Sequence, residues 1–399
     1  MSKDFDIVVA GGGVAGAVTA ALLARQGRRV ALVDRKRPRA PEADAEFDPR
    51  VVAISPGARN VLSAAGAWQH VPEERVGPYA RMAVQADGGH VEFAASQHGL
   101  EQLGWIVEIP TLQAAAWQSL ASQTGVVDIM APAGVESFEP RTNRLGVELD
   151  NGDHIRTRLL IAADGARSRL REQAGIEVDQ WHYNQHALVT HVTTERPNSG
   201  IAWQRFTEHG PLALLPLADG RSSIVWSQPT DRAQALREMD EADFLEELNA
   251  HQDSPFGQAT ACIHRYTLPL VRRQARQLVA GRLALLGDAA RTVHPLAGQG
   301  LNLGLMDAAA LAEVLEAWRP EDDPADALAR YERWRLSAGT LIAGGIHAIN
   351  EITTGNPLGR RAAALGFGAA SALWPLRQLF VERACGLDSD SPRLARTTP

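Results

Sequence analysis

The feature that most constrains this 399-residue chain is Gly11-x-Gly13-x-x-Gly16, set directly behind the apolar run Phe5 to Ala10 (FDIVVA). A β-branched run of that kind suits a strand buried on both faces of a parallel sheet. The Ala- and Leu-rich stretch Val14 to Arg25 predicts a helix stopping at Gly27, and Arg29 to Val33 predicts the next strand. Strand, glycine turn, helix and strand make a βαβ unit. Its helix start gathers the backbone N–H groups of Gly13, Val14, Ala15 and Gly16. A pyrophosphate fits there, because the free amides and the helix dipole favour negative charge and glycine lets the phosphates approach. Asp34, followed by Arg35, ends the second strand 18 residues beyond Gly16, where an acid can accept the hydroxyls of an adenosine ribose. Such an acid suits FAD and NAD equally. A glycine-rich turn with no ligand remains the plainer alternative.

Composition narrows the field. The run Ile7 to Ala24 is 18 uncharged residues, at the lower limit for a membrane span, but Gly11, Gly12, Gly13 and Gly16 would break such a helix near its start. A formal charge of -7 with scattered Lys and Arg argues against nucleic acid, which wants a basic stripe. Cys262 and Cys385 stand far apart in no metal-ligand spacing, so neither a metal site nor a disulfide is expected, and a reducing cytoplasm fits.

Two further strand candidates, Leu159 to Ala163 and Leu283 to Leu286, are each followed at once by Asp and Gly. The second opens Gly287-Asp288-Ala289-Ala290-Arg291, which continues to His294-Pro295-Leu296-Ala297-Gly298-Gln299-Gly300-Leu301-Asn302. A strand would deliver Asp288 to the carboxyl edge of the sheet, where its carboxylate can accept hydrogen bonds from a polyol such as ribitol. Pro295 offers a rigid surface for a flat ring. A helix from about Leu301 to Trp318 would turn its N-terminal amides toward the pyrimidine side of that ring. The other segment is Ala163-Asp164-Gly165-Ala166-Arg167-Ser168, which by itself reads as an ordinary turn.

Between these segments the texture changes. Ile201 to Phe206, Leu212 to Leu217 and Ser223 to Ser227 are short runs separated by Gly, Pro and Asp, which suits an antiparallel sheet. From about Glu321 the pattern becomes helical. The expected class is α/β: a discontinuous Rossmann-like domain over 1–75, 100–172 and 268–318, an inserted antiparallel-sheet domain over 76–99 and 173–267, and a C-terminal helical region over 319–399.

The three segments stand in the order found in single-component FAD-dependent aromatic hydroxylases, and the chain resembles that superfamily from end to end. Within it, the chain most resembles the ubiquinone-biosynthesis hydroxylases of polyprenylated phenols. The residues carrying this are Phe47 to Ser55 (FDPRVVAIS), Phe206 to Pro216 (FTEHGPLALLP) and His294 to Gly304 (HPLAGQGLNLG). The tail Glu382 to Gly386 with Leu387 is similar to the branch acting at ring position C5.

The resemblance implies FAD as cofactor and NAD(P)H as transient electron donor. O2 would react through a C4a-hydroperoxyflavin to hydroxylate a lipid-tailed aromatic ring. It implies that Asp34 holds the ribose and Asp288 with Gly287 the ribitol, that Arg50 lies near the flavin, and that Gln113 lies near the FAD chain. Asp164 would belong to a segment used for both FAD and the pyridine nucleotide. Pro295 and Gly298, Gly300, Leu301 and Asn302 would flank the isoalloxazine, with Arg50, His294 and Pro295 nearest the chemistry. Arg291 stands where many relatives carry His.

A base near a phenol would help its reaction, and His186, His191 and His294 are candidates by location, each also readable as a structural histidine. Leu214, Pro216 and Trp226 are expected in the substrate cavity, with core packing as the alternative. Ala362 to Leu376 is an uncharged run of 15 flanked by Arg360, Arg361 and Arg377, too short to span a membrane. It reads equally as a core helix or as a peripheral contact at the inner face of the membrane. Other quinone-pathway enzymes are expected partners of such a chain. The rival readings are an FAD reductase, a halogenase, and an inactive assembly subunit. Trp105 to Pro110 (WIVEIP) touches the halogenase pattern but lacks its second Trp.

Overall fold

The computed structural model describes residues 3–42, 44–86, 89–123, 125–293, 299–353 and 374–397. The opening unit folds as its sequence dictates: β1 (Lys3–Ala10), α1 (Val14–Arg25) and β2 (Val30–Val33). Ten of the twelve α1 residues are buried, as expected of a helix that is apolar all round. Strand β1 lies between β2 and His154–Ala162, parallel to both. The sheet extends on one side to Val127–Met130 and on the other to Leu283–Leu285, again in parallel. Segments far apart in sequence thus deliver their carboxyl ends to one edge. Gly27, at φ 79, ends the first helix.

The stretch between is antiparallel. Ile201–Thr207, Gly210–Pro216 and Ser222–Pro229 form successive hairpin-joined strands of a nine-stranded sheet, with the long strand Val178–Thr194 beside them. Arg81–Ala86 and Gly89–Ala94 join its far edge. Tyr266–Ala275 and Arg291–Thr292 also belong to this sheet. The boundary expected at 268 therefore falls inside one strand, because the ten-residue run Tyr266–Ala275 pairs throughout with strands of the inserted sheet. A third sheet of Val51–Ile54, Gly104–Glu108 and Gly77–Tyr79 links the two parts.

Alternation along the long strand sorts its side chains onto two faces. Leu188 and Val192 join Trp203, Leu212, Leu214, Ile224 and Trp226 in a core closed by Leu236, Phe244 and Leu248 from the helices Thr230–Glu238 and Glu241–His251. His191 and its pleat-mates turn the other way. At the C-terminus the helices are Ala325–Thr353, Trp374–Cys385 and Arg393–Arg396. Among the described residues, no helix is long and apolar enough to cross a membrane.

Candidate active site

Close backbone packing brings the three segments together. A Cβ at Gly11, whose φ is +108, would lie 2.2 Å from the carbonyl oxygen of Ala163, so only glycine lets the first turn touch the Asp164 segment. A Cβ at Gly16 would lie 2.0 Å from the Gly11 carbonyl oxygen. On the other side of α1, a Cβ at Gly304 would meet the Ala15 Cβ at 3.3 Å and the Gly287 Cα at the same distance. Ala15, Gly287 and Gly304 thus set the Asp288 turn and the helix Gln299–Leu315 against the start of α1. Arg171 ties the remaining pair, its Nη1 donating to the Ala289 carbonyl at 2.9 Å and its Nη2 to the Ala166 carbonyl at 3.3 Å. Sequence reading missed Arg171. It lies in the same run as Asp164, but nothing local marks it for a partner 118 residues away.

The cradle suits a dinucleotide. Gly13 caps α1 without a side-chain hydrogen bond, and the first turn holds no acid. No atom comes within 4 Å of where its Cβ would be. Space is therefore open beside the start of α1, which is what an approaching pyrophosphate requires. Alongside runs a cavity of about 250 Å³ lined by Gly11, Asp34, Arg35, Asp164 and Arg167 among others. Asp34 accepts the Gly12 N–H at 2.6 Å and the Lys36 N–H at 2.8 Å, which fixes its carboxylate at the cavity wall with lone pairs to spare. Arg35 pairs with Asp150 at 3.4 Å on the rim.

Gln113 serves this turn from beneath. Its Nε2 donates to the Gly12 carbonyl at 2.8 Å, and the Trp117 Nε1, one helical turn on, donates to the same oxygen at 2.7 Å. Trp117 was not singled out from sequence. Its i, i+4 spacing from Gln113 was the available signal.

Asp288 is surrounded by protein on most sides yet keeps its side chain open to solvent. Desolvation raises its pKa from the ordinary carboxylate value, and nearby Arg273 opposes this. Asn302 grips the neighbouring strand instead of pointing at open space: its Nδ2 donates to the Ala53 carbonyl at 2.9 Å, and its Oδ1 accepts the Ser55 N–H at 3.1 Å. Gly300 and Leu301 lie in the first turn of the same helix, which begins at Gln299. His294, Pro295 and Gly298 lie outside the described residues.

Arg291 has a clear place. Its Nη1 donates to both Asp307 carboxylate oxygens at 2.8 Å, while Arg335 Nε donates to Asp307 at 2.7 Å. All three are buried. The triad fastens the strand before His294 to both the helix Gln299–Leu315 and the long C-terminal helix.

Arg50 stands on a loop held from two sides. Its own guanidinium forms a two-pronged pair with Asp48 at 3.0 Å on each prong. Burial pushes the Asp48 pKa up, but the Arg50 contacts outweigh it and hold the carboxyl below its usual range. Beneath the loop, Glu108 accepts from Arg75 at 3.0 Å, from Thr111 at 3.0 Å and from the Asp48 N–H at 2.6 Å. Glu108 belongs to the WIVEIP run, whose acid is thus a buried anchor for the Arg50 loop.

The histidines separate clearly. His186 Nδ1 lies 3.1 Å from the Thr230 hydroxyl, beside the helices covering the sheet. His191 is fully buried, with Nε2 at 3.2 Å from the Asp48 carbonyl. Leu214 and Trp226, expected in a substrate cavity, instead pack in the core under the two helices at 1% and 0% exposure. The pleat puts them on the face turned away from Asp48. Pro216 is buried on the same strand.

A βαβ dinucleotide cradle, a carboxylate at the sheet edge and an antiparallel sheet facing it define a flavoprotein oxidoreductase. A family model described as FAD binding domain matches residues 4–343, and the chain belongs to that family. It is 35% identical over 391 residues to 3-demethoxyubiquinol 3-hydroxylase of Escherichia coli (strain K12), covering 96% of this chain and 98% of the relative. It is 34% identical to "Ubiquinone hydroxylase UbiL" of Rhodospirillum rubrum, over 100% of this chain and 94% of that one. Identity to "Ubiquinone biosynthesis monooxygenase COQ6, mitochondrial" of Xenopus tropicalis is 31%, over 94% and 92%. The fold is shared with p-nitrophenol 4-monooxygenase PnpA from Pseudomonas putida DLL-E4, at TM-score 0.78 and 20% identity over 97% of this chain and 100% of that one. The chain is an FAD-dependent monooxygenase.

Proposed function

We propose that the protein hydroxylates the aromatic ring of a polyprenylated phenol in ubiquinone biosynthesis, using O2 and electrons from NAD(P)H. The cavity lined by Gly11, Asp34 and Asp164, with the Gly287 turn packed against Ala15 at the start of α1, supports the cofactor half of this reading. Full-length similarity to three relatives named for ubiquinone chemistry supports the substrate half.

FAD, when bound, supplies the redox and oxygen chemistry, and the chain supplies position, electrostatics and exclusion of water. The α1 amides and Asp34 would hold the pyrophosphate and ribose, and Asp288 the ribitol. Arg50 and the 294–302 segment would border the ring. A tail-bearing substrate also suits a peripheral stay at the inner face of the membrane, beside other enzymes of the pathway. Liposome flotation with and without residues 362–376 tests that point, and equal recovery in the soluble fraction would end it.

The decisive experiment is mass spectrometry of quinone precursors accumulating in a deletion strain. A stalled precursor lacking one ring hydroxyl supports the reading, and its structure names the position; loss of the C5 hydroxyl would match the tail at Glu382 to Leu387. An unaltered precursor pool would refute it. An oxygen electrode separates a hydroxylase from an FAD reductase, which would consume no O2 with the phenol present.

A further inference from the structure

His191 and Ser223 face each other across neighbouring antiparallel strands, as direct register partners. Both are wholly buried. Among the described residues, neither His191 Nδ1 nor Ser223 Oγ has a hydrogen-bond partner. Directly opposed side chains on an antiparallel pair are within easy reach of one another, yet these two do not satisfy each other. A buried polar atom left unpaired is costly, so a polar pair in this state marks a place where another group completes it.

The pair lies on the face of the nine-stranded sheet that turns toward the loop of Asp48 and Arg50, because His191 Nε2 reaches the Asp48 carbonyl at 3.2 Å. That contact fixes the tautomer. A carbonyl only accepts, so Nε2 carries the proton and Nδ1 is left as an acceptor. Ser223 Oγ can both donate and accept. Leu215, the register partner of Ser223 on its other side, and Val189 and Val225 next along the strands give the pair apolar neighbours. A polar pair in an apolar frame recognises a ring that carries one hydroxyl.

We propose that His191 Nδ1 and Ser223 Oγ together bind the ring hydroxyl of a phenolic substrate, His191 accepting its proton and Ser223 donating to its oxygen. The assignment rests on the hydroxylase reading and adds the catalytic base to it. As the phenol O–H bond breaks, the proton passes to Nδ1 and the electron pair stays on oxygen, which makes the ring a better nucleophile. The new C–O bond takes one atom of O2, whose O–O bond breaks with the two electrons of NAD(P)H and whose other atom leaves as water. The ring C–H proton moves to the new oxygen, and the imidazolium returns its proton to the phenolic oxygen. The charged groups around His191 are Arg221, Glu46, Asp219 and Asp48. Burial, the largest of these influences, keeps the imidazole neutral below its ordinary titration range, with Arg221 acting in the same direction and the Asp48 carbonyl, Glu46 and Asp219 against it.

The test uses the FAD-loaded full chain and two probes, 2-allylphenol and its methyl ether, which lacks the acidic proton. Binding is read from the change in flavin absorbance. The wild-type protein should bind the phenol about tenfold more tightly than the ether, the size of one good hydrogen bond. His191→Gln and Ser223→Ala should each shrink that ratio toward one. For oxygen uptake with the phenol, kcat/KM of the wild type should fall on the acid side only at a pH below the ordinary imidazole value of about 6.5, and this limb should vanish in His191→Gln but persist in Ser223→Ala. Ser223→Ala is small enough to leave the fold intact should His191→Gln fold poorly. Unchanged discrimination in Ser223→Ala, or an unchanged acid limb in a folded His191→Gln, overturns the proposal. A wild-type enzyme that consumes no O2 with any phenol defeats the hydroxylase reading first, and the proposal with it.

Discussion

His191 Nε2 lies 3.2 Å from the carbonyl oxygen of Asp48, and this contact joins the inserted sheet to the loop that carries Arg50. An ion pair between Arg221 and Glu46 spans the same junction. The Phe47 ring lies between the guanidinium of Arg75, 4.9 Å from its centroid, and that of Arg221 at 5.9 Å. The loop is therefore gripped from both sides, and the position of Arg50 depends on both.

Burial, the leading influence, pushes the His191 imidazole below its ordinary value. The unfolded chain takes up a proton near pH 6.5 that the folded chain refuses until lower pH. Stability from this group is therefore full above about pH 6.5 and lost as pH falls toward the folded value. Chemical denaturation from pH 7.5 to 5 should show a falling midpoint in the wild type and a flatter one in His191→Gln. Coincident slopes would remove His191 from the account.

Asp288→Ala should fold normally and lose FAD affinity. One charge-assisted hydrogen bond is worth about 1.5 to 3 kcal/mol, or roughly one to two decades in Kd. A flavin-fluorescence titration measures this. Wild-type affinity would mean another group holds the ribitol.

Gly11→Ala and Gly13→Ala should fail in opposite ways. At Gly11 the new methyl meets backbone at 2.2 Å and the φ of +108 is strained, so folding should suffer by more than about 2 kcal/mol. At Gly13 there is open space and an extended backbone, so stability should change by less than about 1 kcal/mol while FAD binding is lost. Thermal unfolding of the two apo proteins, beside their FAD content, distinguishes the cases.

Asp307→Asn removes the anion shared by Arg291 and Arg335 and leaves two buried cations facing each other. Breaking a buried pair of this kind costs about 3 to 5 kcal/mol. Urea denaturation should register the loss. A variant as stable as wild type would show that water already reaches the triad.

Glu108→Gln should loosen the loop above it, since Arg75, Thr111 and the Asp48 N–H all converge on this carboxylate. Trypsin should then cut faster at Arg39 and Arg50 than in the wild type. Equal digestion rates would assign the anchoring to Arg221 and His191 instead.

The first βαβ unit was legible residue by residue, because strand, helix and glycine turn follow from local chemistry: β-branched residues extend, Ala and Leu coil, and Gly11 takes a backbone angle others avoid. The same local logic located the Asp164 and Asp288 turns, each a strand ending in Asp and Gly. What the chain alone could not disclose was which faces and which distant partners its side chains would choose. Strand register decides whether Leu214 or Leu215 meets the cleft, and a shift of one residue reverses every assignment. Arg171, Arg291, Trp117 and Glu108 find their partners only when the sheets pack. A hydrogen bond or a buried ion pair is set by three-dimensional distance, and sequence separation carries no information about it. The local pattern determined the cofactor cradle, and tertiary packing decided what surrounds and steadies it.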